Sequence, residues 1–270
     1  MIPPDETPVD PALQPEERTS LPCWRCGLGV DPSESRCSHC AATLHPQNDV
    51  RRAEPKPDES RQLFIVLAGF FAFLLTSILH GIVVHLAGDK QPKAFEDGLV
   101  IAIETIDAII LLIVWASCGS ARLPIATGRY RVRAWLYAGP ILAVYLTVNC
   151  LYHDAIREYI RIEWLKLPDP TGLTAMSIAT TCVQPAFVEE FFFRYLILGV
   201  LRRHCGVHGA VHISAAMFAI CHVHVLLSMP YLFAVGVFFG YARVASRSMV
   251  LPVSLHFLHN LIVTWWEAES

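Results

Sequence analysis

Charged residues are scarce in this chain of 270 residues. Asp, Glu, Lys and Arg together make up 17% of it, hydrophobic residues make up 54%, and the mean hydropathy is +0.43. Soluble domains carry about 25% charged residues, so the composition argues against an ordinary soluble protein. The chain has no block of basic residues and a net charge of −3, so it lacks the electrostatic footprint of a nucleic-acid-binding protein. We expect no nucleic-acid partner.

The first ten residues, MIPPDETPVD, lack both a basic segment and an apolar run. A cleavable secretory signal needs both, so we expect none, and we expect the first membrane helix to direct insertion. Residues 1–22 are rich in Pro, Glu and Asp, which favours a disordered tail. Residues 46–61 are polar and contain Pro, which indicates a linker.

Apolar residues are concentrated after Arg61, in runs of about 16–25 residues that are long enough to cross a bilayer as helices. We therefore predict an all-α fold for residues 62–270, a polytopic transmembrane helical bundle of about seven spans embedded in the lipid bilayer. The fourth span is long enough for a tilted helix or for a break near Pro185. The predicted spans are Leu63–Ala87, Gly98–Cys118, Ala134–Asp154, Leu173–Leu201, Val207–His224, Pro230–Ala242 and Val250–Trp266.

The distribution of basic residues predicts an orientation for these spans. If the N-terminus is cytoplasmic, most of the 21 Lys and Arg residues fall on the cytoplasmic side of the membrane. Cytoplasmic segments of membrane proteins are enriched in these residues. We predict an integral protein of a prokaryotic inner membrane, with its N-terminus in the cytoplasm and its C-terminus outside.

Four of the nine cysteines stand in one compact module at residues 23–45. CWRC, ten further residues and CSHC make the pattern C-x2-C-x10-C-x2-C. Four thiolates in two such pairs suit tetrahedral Zn(II), and a closed shell of four sulfurs is typical of structural zinc. A redox CxxC pair and unstructured thiols are the alternatives. The predicted zinc ligands are Cys23, Cys26, Cys37 and Cys40.

This module resembles the small zinc ribbons that are often attached to prokaryotic proteins. A segment this short has no core of its own, so bound metal would supply most of its folding energy. We expect the zinc ribbon to bind a protein partner or to regulate substrate access from the cytoplasmic side. The other five cysteines lie in or beside apolar runs and are interpreted as buried small residues.

Three charges interrupt the predicted fourth span, in the segment FVEEFFFRYLIL. A charge at the bilayer centre costs roughly 2.5–3.5 kcal/mol on insertion scales, so three unpaired charges facing lipid are implausible. Glu190 and Arg194 lie four residues apart on one helix face and can pair, whereas Glu189 points about 100° away. Two interpretations stay open: Glu189 belongs to a structural polar cluster between helices, or it faces a wet cavity and takes part in chemistry.

Two other apolar spans carry polar residues at helical spacing. FAICH places Phe218 and His222 four residues apart on the fifth span, and HFLHN does the same for His256 and Asn260 on the seventh. At about 1.5 Å per residue, these groups and Glu189 lie at broadly comparable depths. Peptide-bond hydrolysis needs a base for water, a donor to the developing oxyanion and an acid for the leaving amine. A carboxylate, two imidazoles and a carboxamide can supply all three.

In this order and spacing, EEFFFR, FAICH and HFLHN resemble the three motifs of the CPBP intramembrane proteases. That family includes the type II CAAX prenyl endopeptidases and bacteriocin-processing proteins. The resemblance covers about residues 173–266 and leaves the zinc module outside. It implies a glutamate-protease mechanism in which Glu189 and His222 activate water, while His256 and Asn260 stabilise the oxyanion. The supporting residues are then Glu190, Arg194 and Phe218.

The function predicted on this basis is an intramembrane endopeptidase that cleaves a membrane-associated or lipidated protein substrate and needs no cofactor at its catalytic site. Two alternatives stay open. One is a non-catalytic membrane binding or immunity protein of the same fold. The other is a zinc-dependent membrane protease with Glu189, His222 and His256 as metal ligands. The chain has no HExxH pattern and these ligands come from three helices, so metal-independent catalysis is favoured.

Polar residues elsewhere in the spans have simpler interpretations. Glu104 and Asp107 share one face of the second span, where a structural role is favoured over lining a substrate channel. His80 is interpreted as an ordinary polar or interfacial residue. His224 and His259 adjoin motif histidines but lie off the motif positions. None of the five is therefore counted among the predicted site residues.

Overall fold

The computed structural model describes residues 21–23, 29–31, 34–37, 44, 57–87, 91–118, 132–159 and 173–269. Contacts divide the chain into two units, Met1–Arg51 and Arg52–Ser270. The predicted zinc ligands Cys26 and Cys40 lie outside the described residues, as do most of the predicted tail and linker.

The N-terminal unit contains a short antiparallel pair of strands, β1 (Leu21–Pro22) and β2 (Gly29–Val30). Cys23 and Cys37 are both buried and share one small cluster with Val30. Two of the four predicted zinc ligands therefore lie in the same small core. The zinc site as a whole stays a prediction.

The described part of the second unit is helical, which confirms the all-α class for that unit. Two segments have π-helical geometry and one is a 3-10 helix, and they alternate with α-helices in the second half of the chain. The elements are α1 (Pro57–Ala87), α2 (Lys93–Ser117), α3 (Val132–Tyr159), α4 (Ala175–Ser177), π1 (Ile178–Val183), α5 (Gln184–Glu189), π2 (Glu190–Ile197), α6 (Leu198–Ile220), the 3-10 segment (Val223–Ser228), α7 (Met229–Ser246) and α8 (Val250–Glu269).

Four stretches of the described chain are long and apolar enough to cross a membrane. They are Glu59–Ala87, Lys93–Ser117, Arg133–Tyr159 and Val223–Ser246. Many large apolar side chains of α1, α2 and α3 are exposed on the outside of the bundle, where a bilayer would solvate them. These findings support an integral membrane protein, and the count of seven spans stays a prediction.

The predicted fourth and fifth spans are not separated by a loop. The chain is helical from Ala175 to Ile220, apart from one residue with non-helical backbone, Gly206, at φ 72° and ψ 177°. Glycine adopts positive φ without a steric penalty, so it permits this kink at the predicted boundary. Near Pro185, where a break is one of the predicted possibilities, the chain stays helical but changes from π-helix to α-helix. Pro185 lies in the first turn of α5, directly after π1 ends.

The larger of two buried clusters in the described part of the helical unit forms where π2 and α6 pack against α1. Phe192 and Phe193 of π2 are almost fully buried, and the ring of Phe192 stacks on that of Phe73 with centroids 4.2 Å apart. This packing holds π2, and with it Glu190 and Arg194, in the interior of the bundle.

Two glycines allow α6 and α7 to approach closely. A Cβ atom on Gly236 would lie 3.1 Å from the Cβ of Ala215, and one on Gly240 would lie 2.9 Å from Val211 Cγ1. Small residues four apart are typical of such contacts between membrane helices. The close approach also brings the Gly236 carbonyl within reach of Arg194.

Replacing Gly236 with Val is expected to destabilise the protein by about 1–3 kcal/mol, because the added methyl groups push α6 and α7 apart. Gly139 on α3 is the matched control, since nothing lies within 4 Å of a Cβ built there. Thermal unfolding of both variants in detergent measures the difference. Equal melting temperatures for Gly236→Val and Gly139→Val would contradict the close packing of α6 on α7.

Candidate active site

Glu190 and Arg194 form a buried ion pair within π2. Their side chains are 0% and 1% exposed, and Arg194 Nη1 lies 3.2 Å from Glu190 Oε1. The pairing agrees with the contact predicted from their spacing. A buried charge is tolerated when it is paired and hydrogen-bonded, so each residue depends on the other.

Aromatic rings and a backbone carbonyl complete the surroundings of Arg194. Its guanidinium carbon lies 4.5 Å above the centroid of the Phe218 ring, a geometry suited to a cation–π interaction. Arg194 Nη2 also donates to the carbonyl oxygen of Gly236 at 3.4 Å. Phe218 in turn contacts the imidazole of His222, with ring centroids 4.8 Å apart. Phe218 thus packs between the buried cation and a predicted catalytic residue.

Glu189 turns away from this pair, as predicted, and lies between two histidines. Its Oε1 is 3.8 Å from His222 Nε2, and its Oε2 is 3.8 Å from His256 Nε2. Both distances are too long for direct hydrogen bonds. They leave the carboxylate and both imidazoles close enough to share one small molecule such as water.

The other nitrogen of each histidine is fixed by an acceptor. His222 Nδ1 lies 2.9 Å from the carbonyl oxygen of Phe218. A carbonyl only accepts, so Nδ1 carries the hydrogen and Nε2 of neutral His222 presents a lone pair towards Glu189. His256 Nδ1 lies 2.9 Å from Glu190 Oε1 and donates to that carboxylate. Glu190 therefore orients His256 as well as pairing with Arg194, a contact with no sequence signal because His256 is on α8.

His222 differs in one respect from its prediction. The spacing predicts that His222 shares a helix face with Phe218, but α6 ends at Ile220 and His222 has non-helical backbone at φ −98° and ψ 32°. The last carbonyls of a helix have no intrahelical partner, and the imidazole of His222 donates to one of them. The two residues still meet, through a hydrogen bond at the end of the helix.

Asn260 lies one turn after His256 on α8 and is held at both ends of its amide. Its Nδ2 donates to the carbonyl oxygen of Thr181 at 2.8 Å, and its Oδ1 is 3.0 Å from His259 Nδ1. Pro185 has no N–H and cannot donate a helical hydrogen bond to the carbonyl of Thr181, four residues earlier. That carbonyl is therefore available to Asn260. The proline in the sequence thus helps to position the amide.

A cavity of about 390 Å³ connects these groups. The four predicted catalytic residues Glu189, His222, His256 and Asn260 all line it. Five residues outside the predicted site also line it, namely Glu104, Asp107, His80, His224 and His259.

Channel lining, the less favoured interpretation of Glu104 and Asp107, is therefore the one that the geometry supports. Asp107 also accepts a hydrogen bond from Thr76 at 2.8 Å. The sequence contains a signal for this cavity-lining position. Two carboxylates on one face of an apolar span raise the free energy of membrane insertion unless that face is in contact with water. Within the described residues, no three His, Cys, Asp or Glu side chains are arranged as a metal site.

Residues 171–262 match the protein-family model described as type II CAAX prenyl endopeptidase Rce1-like. This match confirms the resemblance predicted from the three motifs, and it contains all of them. No curated protein and no solved structure matches the chain. The family match and the apolar helices together indicate an integral membrane protein, and residues 171–262 are similar to the CAAX type of intramembrane protease.

Proposed function

We propose that this chain, whose residues 171–262 belong to the type II CAAX prenyl endopeptidase Rce1-like family, is a glutamate-type intramembrane endopeptidase. Its substrate is a membrane-associated or lipidated protein. The observation that carries the proposal is the position of Glu189, 3.8 Å from His222 and 3.8 Å from His256 in a shared cavity. A base and two imidazoles around one water-sized space suit amide hydrolysis.

In the proposed first step, Glu189 and Nε2 of His222 accept the two hydrogens of one water molecule. The water oxygen attacks the carbonyl carbon of the scissile bond as Glu189 takes its proton. Geometry favours this pair because the Phe218 carbonyl fixes His222 with its Nε2 lone pair towards Glu189. General-base assistance of this kind contributes about 10²–10⁴-fold to a rate.

In the proposed second step, Asn260 and His256 donate hydrogen bonds to the oxyanion that forms on the carbonyl oxygen. Thr181 occupies one N–H of the Asn260 amide, which leaves the other for substrate. When both ring nitrogens of His256 carry hydrogens, Nδ1 donates to the Glu190 carboxylate and Nε2 donates to the oxyanion. The C–N bond then breaks, and the proton held by Glu189 passes to the leaving amine.

The experiment that tests this function compares protein termini in cells that carry the wild type or Glu189→Ala. We expect a membrane protein with a new terminus that appears only with the wild type. Glu96→Gln, which removes an exposed carboxylate at the start of α2, serves as the control and should give the wild-type pattern. Identical termini in wild-type and Glu189→Ala cells would reject a protease function.

We also propose that Cys23, Cys26, Cys37 and Cys40 hold one structural Zn(II) ion. The burial of Cys23 and Cys37 in one cluster and the soft sulfur donors support this assignment. Purified protein is expected to contain about one zinc ion per chain, and Cys37→Ser should lose it. The control is Cys182→Ser, which changes a buried cysteine of π1. Elemental analysis that finds equal zinc in both variants would argue against the site.

A further inference from the structure

A second polar cluster lines the same cavity, and the proposed reaction does not use it. Asn149 and His153 lie one turn apart on α3, and Ser228 directly precedes α7. All three line the cavity, and they are 2%, 7% and 7% exposed. Asn149 and His153 lie outside residues 171–262, so the family match says nothing about them.

The hydrogen bonds of His153 fix the direction of the Ser228 hydroxyl. His153 Nδ1 is 3.0 Å from the backbone carbonyl oxygen of Asn149, and its Nε2 is 2.9 Å from Ser228 Oγ. The carbonyl only accepts, so Nδ1 carries the hydrogen and Nε2 accepts from the hydroxyl. Ser228 makes no side-chain cap to α7, although it occupies the N-cap position. The hydroxyl hydrogen of Ser228 is used in the hydrogen bond to His153, so Oγ can only accept hydrogen bonds from a molecule in the cavity.

Whereas Ser228 provides an acceptor, the side-chain amide of Asn149 provides a hydrogen-bond donor. Its Nδ2 atom is buried and has no hydrogen-bond partner among the described residues. A buried donor without a partner is unfavourable and rare in native proteins. Since Asn149 lines the cavity, a rotation of its side-chain amide brings this donor to a molecule that enters the cavity and supplies the acceptor. This wall therefore offers one unpaired donor and one fixed acceptor.

We propose that Asn149 and Ser228 form a subsite that binds a peptide unit of the substrate backbone. The Asn149 amide donates to a substrate C=O, and Ser228 Oγ accepts from a substrate N–H. This inference rests on the proposed protease function and extends it to substrate binding. A protein segment within a bilayer must satisfy every backbone polar group. An unwound substrate segment therefore needs donors and acceptors from the cavity wall.

A series of contacts that joins His153 to Asn260, a proposed oxyanion donor, supports this location for the subsite. The ring of Tyr231 lies 5.8 Å from that of His153, and the Tyr231 hydroxyl is 2.7 Å from His259 Nε2. His259 contacts Asn260 through its other ring nitrogen. The subsite and the scissile-bond groups thus belong to one connected polar wall. A peptide bound by Asn149 and Ser228 enters the same space as Glu189.

The test uses purified full-length protein and a defined probe, N-acetyl-alanyl-alanine N-methylamide, which carries peptide groups and small side chains. Saturation-transfer NMR in detergent measures its binding. Asn149→Leu is expected to weaken binding by about 3–10-fold, the effect of one lost neutral hydrogen bond. Its melting temperature should equal or exceed that of the wild type, because the amide Nδ2 has no partner to lose among the described residues. Asn149→Asp, which keeps the size but removes the donor, should weaken binding similarly.

Thr147→Val is the matched control on α3, since Thr147 is exposed and its hydroxyl donates to the Ala143 carbonyl of its own helix. It should bind the probe like the wild type. Equal probe binding by the wild type and both Asn149 variants would overturn the subsite. A clear fall in melting temperature in Asn149→Leu would also overturn it, because the amide would then hold the helices together.

The probe separates this inference from the protease function. Glu189→Gln should still bind the probe, because Glu189 is not part of the subsite. If probe binding depends on Asn149 while cellular termini are the same with the wild type and Glu189→Ala, the subsite stands and the protease function fails. If termini depend on Glu189 while probe binding is independent of Asn149, the protease function stands and the subsite fails.

Discussion

Glu189→Gln is expected to lower the cleavage rate by about 10²–10⁴-fold, the contribution of a general base. Glutamine keeps the size of the side chain but cannot take a proton from water. His222 and His256 keep their positions, because the Phe218 carbonyl and Glu190 hold them independently of Glu189. The rate is measured with purified protein in liposomes and the substrate that the comparison of termini identifies.

The melting temperature of Glu189→Gln should stay close to that of the wild type, since Glu189 makes no direct hydrogen bond to either histidine. Glu96→Gln again provides the control for loss of one carboxylate. A rate within a few-fold of the wild type would show that Glu189 is not the base. The carboxylate would then belong to a structural polar cluster between helices.

Arg194→Met is expected to destabilise the protein by about 3–5 kcal/mol, the usual cost of removing one partner of a buried ion pair. The Glu190 carboxylate is 0% exposed, and within the described part of the chain it would keep only His256 as a partner. Methionine fills similar space among Phe193, Phe218 and Phe239 without a charge. A fall in melting temperature of roughly 10 °C or more corresponds to this loss.

The exposed pair Arg157–Glu267 is the control for this prediction. Its atoms are also 3.2 Å apart, but both side chains are 30% exposed, so Arg157→Met should cost about 1 kcal/mol or less. The double variant Glu190→Gln, Arg194→Met removes both buried charges and should recover much of the stability. Equal effects of Arg157→Met and Arg194→Met would contradict a desolvated pair at the centre of the fold.

Periodicity and motif spacing predicted much of the helical unit. The apolar runs correspond to α1, α2, α3, α7 and α8, and the pairing of Glu190 with Arg194 agrees with their spacing. The π-helical geometry of π1 and π2 has no signal in the apolar runs, since π-helices occur as short segments inside α-helices. Nor does the sequence show that α6 continues through Gly206 with no loop between the predicted fourth and fifth spans.

The residues that the motifs missed meet only through tertiary packing. Asn149 and His153 look like ordinary polar residues of an apolar span, and their role depends on how α3 packs beside Ser228 and Tyr231. His259 adjoins a motif residue, but its contact with Tyr231 also requires α7. The role of Pro185 also depends on tertiary packing, because the Thr181 carbonyl that it leaves unpaired in the helix accepts a hydrogen bond from Asn260 on α8. A single sequence gives spacing along each helix, whereas these contacts need the angles between helices.

The most direct test of the central claim is one turnover in H₂¹⁸O, with purified wild type in excess over the substrate identified from the termini. If Glu189 activates water for direct attack, the new C-terminal carboxylate carries one ¹⁸O in the first turnover, and Glu189→Gln gives no product on that timescale. An unlabelled first product would show that the oxygen came from a protein carboxylate. Product formed by Glu189→Gln at the wild-type rate would equally contradict the account.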